Sequence, residues 1–339
     1  MSDPDIPKAG AYVVTKLRAL DGSLADAAPR VLATGDDLDP EGVHALRVAI
    51  RRMRTLLKMS RELFGRWHTG IVREAFAEVM RATGELRDAE VLEDTLSGAA
   101  SGSEYGAWLE TRKSREVRLR ESVVRRIERG DLERARLLLK ALIVFPVEPG
   151  KNVDLSKFAR RTVERARRNV ERQRDVEVTD VVGMHDLRIA YKELRYSIEL
   201  LSDALPIDAR AQLEPATVFQ KRLGDLHDVD VAAEVLLAAK GLPHAAREEA
   251  LATLATMRSK RVGKYLRELD PLGAGMRETR AGQASRGPRD VTRGAASEAG
   301  AEKIEDAPTV YLRREESDLL PATALVEKTV QNGASEPEK

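Results

Sequence analysis

His44, Arg47, Arg51 and Arg54 recur at intervals of three and four residues, and His185, Arg188, Lys192 and Arg195 do the same. At about 3.6 residues per turn, that spacing stacks each set along one face of a helix. A row of guanidinium, ammonium and imidazole groups is equipment for holding an anion. Guanidinium takes phosphate or carboxylate oxygens in a bidentate grip, and an imidazole with a pKa near 6.5 can gain a proton beside one. Like charges at these intervals each cost an isolated helix roughly 0.2–0.5 kcal/mol. Nothing local relieves the first row, because no acid lies between Glu41 and Glu62. Carboxylates from a neighbouring helix, a bound anion or screening by solvent must therefore compensate.

The two rows belong to an internal repeat. His-Ala-Leu-Arg-Val-Ala-Ile-Arg from His44 aligns with His-Asp-Leu-Arg-Ile-Ala-Tyr-Lys from His185, 141 residues later. A second block, Gly84-Glu-Leu86-Arg87-Asp88, aligns with Gly224-Asp-Leu226-His227-Asp228 at a separation of 140. Each row also runs beside an apolar seam in the same register: Val43, Leu46, Ile50, Met53 and Leu57 in the first copy, Met184, Leu187, Tyr191, Leu194 and Ile198 in the second. One face packs and the adjacent face is cationic. Two blocks in the same order at almost the same offset point to a duplication.

The elements that must carry these rows are helices. Ala, Leu, Arg and Glu dominate, aromatics are 4% and charged residues 33% of the 339 residues, a composition that favours an all-α protein. Apolar periodicity predicts helices or helix pairs over 8–30, 41–64, 69–97, 103–143, 155–174, 180–204, 209–240 and 244–269. Asp39-Pro40-Glu41 reads as an N-cap with proline at the first helical position, so that the second helix starts just before His44. The expected organisation is a first four-helix repeat over 1–145, a second over 146–272 and a disordered tail over 273–339. The tail carries a net charge of about −2 against +3 for the rest, with apolar islands around Tyr311 and Leu320 that suit a protein partner. The absence of cysteine excludes disulfides and thiolate chemistry. No signal peptide and no run long enough to span a bilayer is visible, which predicts a cytoplasmic protein with no membrane partner.

Of the remaining residues, Asp88 with Glu90 and Asp228 with Asp230 have the type of Mg²⁺ ligands, but they equally suit carboxylates that hold the neighbouring basic side chains in place. The second reading is preferred, with Asp88 and Asp228 as positioning groups. Gly84 and Gly224, inside helical pattern, are read as points of close helix packing. Two other basic stretches, Arg112–Arg126 and Lys157–Arg174, rank below the repeated rows because each taken singly suits a solvated face. No phosphate-binding glycine loop, no His-Glu-x-x-His and no Glu-x-Glu-x-Lys occurs. The expectation is a binding protein, with no catalytic residue, no cofactor and no resident metal.

These blocks resemble the conserved histidine α-helical domain, CHAD, over roughly residues 8–270. The resemblance implies two pseudo-symmetric four-helix bundles with basic residues lining a groove or pore between them, and inorganic polyphosphate as ligand, with the protein on polyphosphate granules. Carried over position by position, it makes His44, Arg47, Arg51, Arg54, His185, Arg188, Lys192 and Arg195 the expected phosphate contacts, with Lys58, Arg81 and Lys221 as additions. One position breaks the pattern, since Glu193 stands where the first copy has Arg52.

Two other classes compete with polyphosphate binding. A nucleic-acid-binding helical protein would use the same rows, but base-stacking aromatics do not accompany them. A metal-assisted phosphohydrolase would use the acidic pairs.

Overall fold

The computed structural model describes residues 8–33, 35, 38–144 and 153–269. The expected tail and its apolar islands lie outside the described residues, as does most of the expected linker near 145–153. The chain is all-α, with twelve helices among the described residues: α1 (Ala9–Leu32), α2 (Gly42–Met59), α3 (Arg61–Phe64), α4 (Arg66–Ala82), α5 (Gly84–Leu96), α6 (Ser103–Glu128), α7 (Asp131–Val144), α8 (Leu155–Gln173), α9 (Val181–Leu201), α10 (Ile207–Ala211), α11 (Leu213–Leu237) and α12 (His244–Leu269).

Four of the eight predicted stretches are helix pairs, and the breaks between helices have local causes. Gly65 and Gly130 both take φ of 85°, which only glycine adopts without strain, and they separate α3 from α4 and α6 from α7. The break between α4 and α5 falls at Thr83, which is fully buried. Its hydroxyl bonds the Val79 carbonyl at 3.0 Å and receives Arg47 Nη1 at 3.0 Å. The corresponding stretch of the second half is the unbroken α11.

α2 starts just before His44, as expected, but Asp39 is not its N-cap. Asp39 takes the Glu41 amide at 2.8 Å and Arg30 Nε at 2.6 Å, so it caps a turn that precedes the helix. α2 begins at Gly42, where a Cβ would lie 2.6 Å from the Arg30 carbonyl oxygen, inside contact distance. Gly183 at the second residue past Val181 is equally tight, its Cβ position 2.3 Å from Val176 Cγ2. Each glycine stands two residues before the histidine of its row; a side chain at Gly42 would strike backbone, and one at Gly183 would have to displace the Val176 and Asp180 side chains.

Both apolar seams are buried throughout, from Ile50, Met53 and Ile198 at 0% to Tyr191 at 7% exposure. Each such side chain contributes roughly 1.5–3 kcal/mol relative to leaving it in water. The main core runs from Ala9 on α1 to Tyr265 on α12 and draws on both halves of the sequence. A smaller cluster joins Leu92 and Leu96 of α5 and Tyr105 of α6 to Val229 and Leu236 of α11 and Leu254 of α12. For the site the important contacts are α2 with α9 and α5 with α11, so the helices carrying the repeated blocks meet their counterparts.

Candidate functional site

Every residue of the two rows is half-buried: His44, Arg47, Arg51, Arg54 and Lys58 on α2, and His185, Arg188, Lys192 and Arg195 on α9. The rows are therefore recessed, and simple screening by bulk water does not account for them. Of the added positions, Arg81 is half-buried and Lys221 is exposed.

The helices of the second block hold the first part of each row. Arg47 Nη1 donates to the Met80 carbonyl at 2.8 Å and to Thr83 Oγ1, fastening α2 to the α4–α5 break. A Cβ on Gly84 would lie 3.7 Å from Arg47 Nη1, and one on Gly224 would lie 3.8 Å from Arg188 Nε. Only an arginine side chain comes near either position, at ordinary contact distance and with no backbone of a neighbouring helix within 4 Å, which corrects the expectation of close helix packing. In the second half, His185 and His227 approach with Nδ1 atoms 3.3 Å apart and ring centroids at 4.5 Å. In the first half, burial followed by the charge of Arg87, which occupies the repeat position of His227, lowers the His44 pKa. Neither Arg87 nor His227 was among the residues expected in the site, although both sit at one position of the repeated block.

His227 is the more perturbed histidine. Burial first, then the charges of Arg188, His185 and Lys192, push its pKa down to about 3. Asp228 moves the other way, raised by burial against the pull of Arg188, Arg261 and Arg87. The opposing charges come from arginines on α9, α12 and α5. Asp88, its counterpart, is exposed.

The Nε atoms of Arg51 and Arg195 are buried with no acceptor among the described residues. Arg195 lays its guanidinium over the Tyr196 ring at 4.4 Å. Lys58, by contrast, pairs with Glu193 at 3.3 Å, Arg81 pairs with Glu74 at 2.7 Å, and Arg52 bonds Glu199.

The family model for the CHAD domain matches residues 18–237. This chain belongs to the CHAD domain family. Among solved structures it is similar to the CHAD domain from the plant Ricinus communis, at 20% identity and a TM-score of 0.60, covering 84% of this chain and 95% of that one. It is also similar to PptA from Streptomyces chartreusis, at 15% identity and a TM-score of 0.58, covering 78% and 99% of the two chains. No curated protein matches it.

Elsewhere in this CHAD protein, basic stretches are largely neutralised. On α6, Lys113 meets Glu93 at 3.6 Å, Arg120 meets Glu90 at 2.8 Å and Arg126 meets Asp131 at 3.0 Å. On α8, Arg167 and Arg168 share Glu164, each at 2.9 Å, and Arg165 meets Glu62 at 3.6 Å. The acidic pairs are likewise engaged: Glu90 binds Arg87 at 3.1 Å as well as Arg120, and Asp230 binds Arg258 at 2.6 Å. Among the described residues no helix is long and apolar enough to cross a membrane, and no three His, Asp or Glu side chains are grouped as metal ligands would be.

Proposed function

We propose that this CHAD protein binds inorganic polyphosphate along the recessed cationic rows of α2 and α9, holding the chain without cleaving it. The observation that carries the reading is the environment of Arg51 and Arg195. They lie on two contacting helices from opposite halves, and their buried Nε donors lack an acceptor among the described residues. A buried donor left unsatisfied costs roughly 1–3 kcal/mol, and a phosphate oxygen relieves it. Polyphosphate presents about one charge per unit along a flexible chain, which suits two rows of bidentate donors.

The proposed contacts are His44, Arg51, Arg54, His185, Lys192 and Arg195. Arg47 and Arg188 act at the edge of the site, where each is fitted against the glycine of a block helix. Lys58 and Arg81 would have to release Glu193 and Glu74 to join, and Lys221 would add charge at the surface.

The folded part reads as two pseudo-symmetric repeats, 1–145 and 146–272. Support comes from the correspondence of Gly42 with Gly183 at the repeat offset, and from the contacts of α2 with its counterpart α9 and of α5 with its counterpart α11. Nucleic acid fits less well, because Tyr191 and Tyr196 beside the second row are buried at 7% and 2% exposure and offer no face for a base. A metal-assisted hydrolase would have to free Glu90 and Asp230 from their arginines. In cells, residues 1–272 would gather on polyphosphate granules, leaving the tail for a protein partner.

The test is a binding screen of long-chain polyphosphate against single-stranded and duplex DNA and RNA, with and without Mg²⁺, while free phosphate is monitored. Tight, salt-sensitive binding of polyphosphate alone, with no phosphate released, is the expected result. Preference for nucleic acid, or phosphate release that needs Mg²⁺, would overturn it.

A further inference from the structure

The two halves of the site are built from one repeated block, yet they differ where it matters electrically. In the first half the repeat position holds Arg87, whose charge bears on His44, while in the second it holds His227, which stands against His185. Arg87 is a permanent cation, so the first half carries a fixed charge there, and the second half carries one that depends on protons.

The geometry of the second pair limits what it can do. With Nδ1 atoms 3.3 Å apart, one ring must donate and the other accept. In the neutral pair, the two rings hold two hydrogens, one of them between the Nδ1 atoms. Adding one proton leaves that bond intact and protonates the remaining Nε2, giving an imidazolium bonded to a neutral imidazole. Adding a second would set two N–H groups against each other, so the pair accepts one proton and resists another.

The surroundings decide when it does so. From α9 it faces Arg188 and Lys192, whose charges disfavour protonation. From α5 comes Arg87, close to Asp228, and from α12 Arg261, which also bonds the Asp225 carbonyl. On α11 itself stand Asp225 and Asp228. On the polyphosphate reading, Lys192 is a contact and Arg188 stands at the edge of the site, so a seated phosphate chain offsets the α9 cations that oppose a proton.

We infer that His227, through its contact with His185, is a proton-coupled member of the anion site, and that seating a polyphosphate chain on α9 draws one proton from solvent onto this pair. The inference rests on the polyphosphate reading and adds a residue and a regulation to it: binding strengthens in acid, chiefly through the second half of the molecule.

The experiment uses the full chain and long-chain polyphosphate. Calorimetric titrations at pH 6 and pH 8, each in two buffers of different ionisation enthalpy, count the protons taken up. In parallel, the histidine ring signals are followed by NMR. Expected are uptake approaching one proton per protein at pH 6, affinity rising up to about tenfold per pH unit toward acid, and movement of the His185 and His227 signals toward the imidazolium position. His227→Arg, which copies Arg87, should flatten the pH dependence, and His227→Gln should abolish most of the uptake. Binding with no uptake and no ring shift would overturn the inference and leave polyphosphate binding standing, whereas no binding at any pH would sink both. Because the decisive readouts are made on the unsubstituted protein, a variant that fails to fold does not blur the outcome.

Discussion

Lys58 Nζ on α2 lies 3.3 Å from Glu193 Oε1 on α9, and six residues away on each helix Arg52 bonds Glu199. The two helices therefore run antiparallel where they meet. Residue 52 corresponds to 193 and residue 58 to 199 at the repeat offset of 141, so one bridge is the other with the halves exchanged. The first half supplies both cations and the second half both carboxylates, which explains why an acid stands at Glu193.

If these bridges steer unlike halves together, charge reversal should be context-dependent. Lys58→Glu and Glu193→Lys alone should each lower stability by about 1 kcal/mol, since the partners are about a third exposed and the bridge is partly screened. The double exchange should restore most of the loss. Urea unfolding of the four proteins measures the coupling; a double variant no better than the sum of the singles would show that the seam is held by its apolar contacts alone.

The rows should separate into fastening and ligand-holding residues. Arg47→Ala removes charge-assisted bonds to the Met80 carbonyl and the Thr83 hydroxyl and should cost about 1.5–3 kcal/mol. Arg51→Ala and Arg195→Ala should cost no more than about 1 kcal/mol, mostly the contact of Arg195 with Tyr196. Together they should weaken polyphosphate binding by roughly tenfold or more. Thermal melts beside binding isotherms make the comparison. An Arg51→Ala, Arg195→Ala protein that unfolds would assign those side chains to the fold.

Much of this was legible in the sequence. The apolar seams, the basic rows beside them and the two repeated blocks follow from periodicity and spacing, because a helix face repeats every three to four residues whatever it packs against. What the spacing does not carry is the partner across a gap. Comparing the repeats exposes what both copies share, so Arg52 against Glu193 reads as a mismatch when the two positions are complementary. Arg87 and His227 differ in type at one repeat position, so spacing alone does not mark them, although the first lends its charge to His44 and the second touches His185. Gly42 and Gly183 were visible at the repeat offset, but the demand for glycine arises only from how close the preceding segment comes.

The block glycines make a graded prediction. A Cβ at Gly84 or Gly224 meets the Arg47 or Arg188 guanidinium at ordinary van der Waals distance. Gly84→Ala and Gly224→Ala should therefore be neutral or stabilising by up to about 1 kcal/mol, the gain in helix propensity. Leucine at either place should displace the arginine, lowering both stability and polyphosphate affinity. Melting temperatures of the alanine and leucine variants decide it, and alanine as damaging as leucine would mean that the backbone itself is tightly packed there.

Acid should loosen the protein before any carboxylate titrates. His227 has a pKa of about 3 in the folded chain against about 6.5 when unfolded, so the unfolded state binds more protons between those values. The stability that depends on neutral His227 is complete above pH 6.5 and drains away as the pH falls toward 3. At pH 5 the loss from this one group is on the order of 2 kcal/mol. His44, also lowered, acts in the same direction, while Asp228, raised by burial, opposes them in stronger acid. Urea unfolding at pH 7.5 and pH 5 should show the loss in the unsubstituted protein and a clearly smaller one in His227→Gln, whose side chain cannot take the proton. Polyphosphate should reverse much of the acid loss by making the protonated pair favourable in the folded state. Equal pH dependence in both proteins would mean that His227 takes its proton as readily in the fold as in the unfolded chain, and that its contact with His185 does not hold it neutral.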